Sequence, residues 1–302
     1  MAGFWRCLIF PKRPKGARGA SYLLPNRSGW GHLTERRPYL PPQGALLSGS
    51  VHQLSTRTRR GFPRISTMGL SGVLVTFADE LSETANRAAL AFRDRVEADR
   101  WEGIEETAVS LSSAFLRFDP LCVAQKEITV RLSRLLDSED WYAAALPSGR
   151  RRWRIPTVFG GPQAPQFDEV AELAGLSSDK AVAELTARPV RVMTIGFAPG
   201  LPYMGILPAH WDIPRQTALT PLVPASAVVL AVRQLIIFST PTPTGWRHIG
   251  QTCFRGFRPE TETPFVLRSG DEVSLVSVSA EKLNRLKADP KTNGGATCEP
   301  IP

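Results

Sequence analysis

An apolar, β-branched run opens the first regular pattern in the chain: GVLVTFA, residues 72–78, predicts a strand. In ELSETANRAALAFRDRVEADR, which follows, Ala85, Ala88, Ala89, Phe92 and Val96 recur at helical spacing, and Ser82 stands where a helix cap belongs. Gly103 breaks that helix. Glu105–Ser110 and Ala114–Phe118 then read as two strands joined by a Ser-rich turn, and Asp119-Pro120 ends the second. CVAQKEITVRLSRLLDSED predicts a second helix with Val123, Ile128, Leu132, Leu135 and Leu136 on its apolar face. RRWRIPTVF at 151–159 predicts the next strand. The order β-α-β-β-α-β is that of an α+β, ferredoxin-like unit, assigned to residues 62–150: a small antiparallel sheet with two helices on one face. That fold hosts many functions and selects none.

After Gly160-Gly161 the pattern changes. Phe167–Ala174 reads as a short helix stopped by Gly175, with Asp168, Glu169 and Glu172 in its first turns, where they suit the helix dipole. Ser177 or Ser178 caps a second helix that ends near Arg188. PVRVMTIGFAPG returns to strand. From there to Val278, short apolar runs such as VVLAVRQLIIFST, GWRHIGQT and PFVLRSGDEVSLVSV alternate with Pro/Gly turns, the pattern of a barrel or closed sheet over residues 151–280. Ser269-Gly270-Asp271 forms a tight turn before the last strand. Residues 281–302, ending in KADPKTNGGATCEPIP, read as a flexible tail.

Composition narrows the classes. The 302 residues are 42% hydrophobic and 22% charged, as in a soluble globular protein of one or two domains. No stretch approaches the roughly 20 apolar residues of a membrane span. The net charge of +9 is unevenly spread: residues 1–67 hold 12 of the 37 Lys/Arg and one of the 28 Asp/Glu, Glu35. The remainder carries −2, so nucleic-acid binding by the folded body is not indicated. The basic head at 1–61 admits a targeting peptide or an arm for an acidic partner. It is read here as disordered, or as an upstream extension that is not translated. Cys7, Cys122, Cys253 and Cys298 are too scattered for a zinc site or a disulfide scaffold and read as reduced thiols of a cytoplasmic protein.

There is no GxSxG, Walker loop, HExxH or GxGxxG, and no nucleophile–base pair. Of the four histidines, His32 and His52 fall in the head, His248 reads as a structural strand residue and His210 as a surface turn. The chemistry-bearing stretch is TIGFAPGLPYMGILP, residues 194–208. Gly196 and Gly200 allow unusual backbone and close approach, and Pro199, Pro202 and Pro208 stiffen the segment. Phe197 and Tyr203 add aromatic walls, and Arg191 and Arg215 flank it. Such a loop, presenting amide groups beside aromatic faces, suits a small polar or anionic ligand. A turn whose aromatics pack inward is the alternative.

At this loop the sequence resembles the family of 5-oxoprolinase B subunits, also called allophanate hydrolase subunit 1, which includes a bacterial sporulation-kinase inhibitor. The matching stretches are RRWRIPTVFGG, FDEVAELAGLS, RVMTIGFAPGLPYMGILP, IPR, VPAS, TGWRHIGQT and PFVLRSGDEVSL, in order, from about Phe62 to Val278. The resemblance implies a ferredoxin-like domain followed by a cyclophilin-like β-barrel. It also implies a component, inactive alone, of an enzyme that opens 5-oxoproline to L-glutamate with ATP as co-substrate. Two partners are implied. One is the enzyme's C component, similar to allophanate hydrolase subunit 2, which carries the other half of a carboxyltransferase-like module. The other is its A component. No metal, nucleic acid or membrane is implied. Carried onto this chain, the substrate-binding set is Arg191, Gly196, Phe197, Pro199, Gly200, Pro202, Tyr203, Gly205, Arg215, Pro224, Gln234, Gly245, Trp246 and Gly250. The chain departs from the family at three places. ALTPLVPASA lacks the usual arginines and has Ser226 for a glycine. VRQLIIFS stands for GGQTGIYP, keeping Gln234, and TPTGW stands for SPGGW. These departures suggest a divergent paralogue and keep open a regulatory protein of the kinase-inhibitor type, without catalysis of its own.

Overall fold

The computed structural model describes residues 61–289 and 292–301. The reading of the head as disordered or untranslated therefore lies almost wholly outside the described residues. The first body contains β1 (Arg64–Met68), β2 (Gly72–Thr76), α1 (Glu83–Ala98), β3 (Ile104–Val109), β4 (Ser113–Phe118) and α2 (Gln125–Leu136). Ser82 caps α1 as its position predicts, its Oγ accepting the Ala85 N–H at 3.1 Å. The apolar faces of α1 and α2 meet the sheet in one core, where Phe92 sits edge-to-face between Phe77 and Trp141 at 5.6 and 5.0 Å.

The sheet runs β1-β2-β4-β3, all antiparallel. This corrects the β-α-β-β-α-β layout. RISTM, preceding the first expected strand, is a strand of its own: the chain turns at Gly69 (φ 64°) and pairs Met68 with Gly72 and Arg64 with Thr76. That hairpin fills the edge beside β2 which a ferredoxin-like chain would give to its last strand. RRWRIPTVF, expected there, lies elsewhere, because Ile155–Val158 are buried without alternation and need a central position covered on both faces.

The second body provides that position. It contains β5 (Arg151–Phe159), α3 (Phe167–Leu173), α4 (Ser178–Ala187), β6 (Val190–Ile195), β7 (Pro202–Gly205), β8 (Thr220–Val223), β9 (Ala227–Ala231), β10 (Gln234–Ile237), β11 (Thr242–Thr244), β12 (Arg247–Gln251) and β13 (Glu272–Ser277). Seven strands close into a barrel in the order β12-β9-β10-β7-β6-β13-β5, sealed where Gly250 and Gln251 of β12 pair with Phe159 and Val158 of β5. The β5–β13 pair is parallel; the other pairings are antiparallel. One alternating set of side chains, including Val192, Met204, Val228, Leu235, Ile249 and Leu275, forms the main core with α3 and α4. The opposite set on β7, β9 and β10 is covered by a second core around Leu201, Val229, Ile236 and Trp246.

The C-terminal segment differs from the expected tail. Ser279 caps α5 (Ala280–Ala288), and β14 (Thr297–Pro300) pairs antiparallel with the first half of β5.

A buried polar seam joins the two bodies. Asn86 of α1 donates to the carbonyls of Leu111 (2.8 Å) and Met193 (3.0 Å) and accepts from Arg191 Nη1 (2.6 Å). Arg191 also pairs with Glu83, and Thr194 Oγ1 donates to the Val109 carbonyl at 2.6 Å.

Candidate functional site

The loop between β6 and β7 folds on itself. Gly196 N–H bonds to the Leu201 carbonyl (3.1 Å), Leu201 N–H to Ala198 (3.1 Å) and Ala198 N–H to Gly196 (2.9 Å). The last is a γ-turn centred on Phe197, whose φ is 70°. A non-glycine residue rarely holds such a turn, and the strain is met by the surrounding bonds rather than by Phe197 itself. The phenyl ring gains no burial from it: Phe197 is 71% exposed. Sequence reading expected a row of free amides; the structure uses three of them internally. The N–H groups of Phe197 and Gly200 have no hydrogen-bond partner among the described residues.

Gly200 fixes where the loop sits. At φ 67° its backbone presses on the turn after β12, and a Cβ there would stand 2.5 Å from the Gly256 carbonyl oxygen. The reciprocal holds: a Cβ on Gly256 would stand 2.3 Å from the Gly200 oxygen. Side chains at either position would push the loop off the barrel.

Beside the loop, the register aligns Thr194, Tyr203, Ile236, Val229 and His248 in one row across the outer barrel face. Tyr203 meets Trp246 edge-on at 6.2 Å, and the Arg215 guanidinium lies over the Trp246 ring at 5.3 Å. Burial pushes the Tyr203 phenol above its usual 10 despite the Arg215 charge, so Tyr203 is a neutral donor at physiological pH. Gly245 lets this corner close: Gln216 N–H bonds to its carbonyl at 2.7 Å.

Tyr203, Arg215, Gly245 and Trp246 are thus brought together, with Phe197, Pro199 and Gly200 on the adjoining loop and Pro202 buried at the start of β7. Other expected residues do different work. Arg191 is buried, and its guanidinium is filled by Glu83 and Asn86 of the first body rather than open to a ligand. Gly205 and Gln234 are buried side by side on the outer face, the Gln234 Nε2 having no partner among the described residues. Gly250 is buried at the barrel seam against β5. Pro224 is exposed on the rim of a separate cleft.

Sequence reading passed over Gln216. Its Nε2 reaches Thr220 Oγ1 (3.3 Å) and the Trp246 carbonyl (3.4 Å), and its Oε1 accepts from Gln166, which in turn accepts from His248 N–H. Nothing in the polar run DIPRQT marks it. His248 is held neutral by burial, its Nε2 3.0 Å from the Gly250 carbonyl. Among the described residues no cluster of His, Cys, Asp or Glu could hold a metal ion, and no helix is long and apolar enough to cross a membrane.

Val232 and Arg233, at the β9–β10 turn, have φ of 44° and 63°, and Ser226 has 64°. Glycine would adopt this backbone freely; here it carries side chains.

A family model described as "Carboxyltransferase domain, subdomain C and D" matches residues 63–267. The 5-oxoprolinase B subunit of Bacillus subtilis (strain 168) is 28% identical over 240 residues, 75% of this chain and 97% of that relative. The protein of the same name from Escherichia coli O157:H7 is 37% identical over 132 residues, 44% of this chain and 61% of that one. Among solved structures, TTHA0988 is 30% identical with a TM-score of 0.59, covering 70% of this chain but only 40% of that chain. The K. lactis urea amidolyase, 16% identical with a TM-score of 0.61 over 78% of this chain and 16% of that one, shares the fold.

Proposed function

The chain belongs to the carboxyltransferase-domain family of subdomains C and D, and from that premise we propose that it is the B subunit of a cytoplasmic, ATP-dependent 5-oxoprolinase that acts only with its A and C components. Relatives named as 5-oxoprolinase B subunits support the reading. The observation that carries it within this chain is Phe197: an aromatic ring exposed on a strained γ-turn, on a loop otherwise bonded to itself and locked to the barrel. Strain kept without burial is a mark of function, and an open edge of this kind suits half of a site that another component completes.

The reaction needs an activated lactam. The γ-phosphoryl group of ATP passes to the carbonyl oxygen of 5-oxo-L-proline, giving ADP and an electrophilic ring carbon. Water adds to that carbon. The C–N bond then breaks, the nitrogen takes a proton to become the amino group of γ-glutamyl phosphate, and a second water hydrolyses that acyl phosphate to L-glutamate and phosphate. In this chain, Arg215 holds the substrate carboxylate, braced on Trp246. Tyr203 donates from its neutral hydroxyl, and Phe197 packs on the five-membered ring. The free N–H of Phe197 meets developing oxygen charge.

A regulatory role without catalysis is favoured by a different observation. Leu219 and Leu222, in the stretch that lacks the family's arginines, are 63% and 65% exposed, as a protein-docking surface requires. Co-expression with the A and C components, followed by an assay of glutamate release, separates the two. Glutamate formed only by the complete set supports the enzyme component; a complete set that assembles and stays inactive supports the regulator.

A further inference from the structure

A cleft of about 1120 Å³ opens between the end of β12 and α5, and none of residues 196–205 lines it. One wall is Gln251, Thr252 and Cys253; the facing wall is Leu283, Leu286, Lys287 and Asn293. That second wall lies beyond residue 267, where the family match ends. It is firmly seated. Asn293 grips the Arg255 backbone at two points, Oδ1 accepting from its N–H at 2.8 Å and Nδ2 donating to its carbonyl at 3.0 Å. Gly294, at φ 64°, packs so tightly that a Cβ would stand 2.4 Å from the Cys253 carbonyl carbon. The Cys253 thiol reaches the Leu283 carbonyl at 3.8 Å, and β14 anchors the chain beyond. The cleft is therefore built into the fold, and its volume lies just above the ~300–1,000 Å³ typical of small-molecule sites.

Its charged lining is cationic on balance, with Arg255, Arg258 and Lys287 against Glu260 and Asp289. Arg255 forks onto Glu260 at 2.7 and 3.2 Å, and Arg258 reaches the same carboxylate at 3.5 Å. One carboxylate thus serves two guanidinium groups, each with five N–H donors. Lys287 has no ion-pair partner among the described residues, and its charge is felt at the Cys253 thiol. Leu222, Leu283 and Leu286 supply apolar surface beside this donor surplus.

We propose that this cleft is a second small-molecule site, which takes an organic phosphomonoester with its phosphate on Lys287, Arg255 and Arg258 and its carbon skeleton on Leu222, Leu283 and Leu286. A phosphomonoester brings three acceptor oxygens and close to two negative charges, which the two guanidinium groups and the free ammonium can share. A monocarboxylate brings only two acceptor oxygens, too few to engage all three cationic groups at once. The site stands independently of the 196–205 loop and of the reading given to it.

Calorimetric titration of the full chain with phenyl phosphate, inorganic phosphate and benzoate tests this. Phenyl phosphate is expected to bind saturably and more tightly than inorganic phosphate, and benzoate most weakly. Lys287→Ala and Arg258→Ala should each weaken phenyl phosphate about tenfold or more, and Lys287→Arg should recover most of the loss. Lys287 is exposed and unpaired among the described residues, so its variants should melt like the parent chain. Absence of saturable binding, benzoate matching phenyl phosphate, or affinity indifferent to both Lys287→Ala and Arg258→Ala would overturn the proposal.

Discussion

Asn86 on α1 and Arg191 on β6 meet across the seam between the two bodies, the guanidinium donating to the amide oxygen at 2.6 Å. Both side chains are buried, and Asn86 satisfies two main-chain carbonyls as well. Asn86→Leu should therefore leave three partners unpaired and lower stability by about 3 kcal/mol or more, read as a drop in the urea midpoint. Arg191→Ala should destabilise in the same way. An Arg191→Ala protein with an unchanged midpoint but no activity in the assembled enzyme would return that arginine to the substrate site.

The β9–β10 turn predicts the opposite sign. Val232 and Arg233 occupy a two-residue turn with φ of 44° and 63°, a conformation that favours Asn-Gly. Their N–H groups bond to the carbonyls of Ile213 (2.8 Å) and Trp211 (3.2 Å), so the turn is held by its surroundings. Replacing the pair with Asn-Gly should raise stability by about 1 kcal/mol or more and shift the thermal midpoint upward. No shift, or a fall, would mean that the side chains contribute more than the strain costs.

Gly200 and Gly256 approach each other too closely for either to carry a side chain. Each single Ala substitution should release the loop and lower the melting temperature. Because both break the same contact, the double substitution should cost clearly less than the two single losses added. Additive losses would show that the two glycines act separately.

His248 sets a pH dependence. Burial lowers its pKa below 6.5, so the unfolded chain takes up the proton first. The stability it contributes is complete above about pH 6.5 and is lost as the pH falls from there toward the depressed folded value. The urea midpoint should decline from pH 7 to pH 5, with a local slope approaching about 1.4 kcal/mol per pH unit, and His248→Gln should flatten the decline. An equally steep decline in His248→Gln would assign the titration to another group.

How much of this was legible in the sequence follows from the range of the signals. Helices α1, α3 and α4 show in their spacing, and Ser82 and Ser177 cap where their side chains predict, because capping is decided within three residues. Strand β1 was not separable from its neighbour: five half-exposed residues and a Gly-containing turn carry little alternation. β9 and β10 ran together as VVLAVRQLIIFST because the turn between them lacks the residues that usually announce one. β14 is exposed along its length and gains its place only by pairing with β5. The loop at 194–208 was visible through its prolines and glycines. That Arg191 is filled by Glu83 was not, since the partners lie 108 residues apart.

The most direct test of the central reading is 5-oxoproline-dependent ATP hydrolysis by the assembled enzyme, with this chain carrying Phe197→Gly. Glycine accepts the 70° φ without strain, so the loop should keep its shape and the chain its stability while losing only the ring. The account predicts that the components still copurify and that kcat/KM falls about tenfold or more. An assembled enzyme whose kcat/KM is unchanged by the substitution would contradict it.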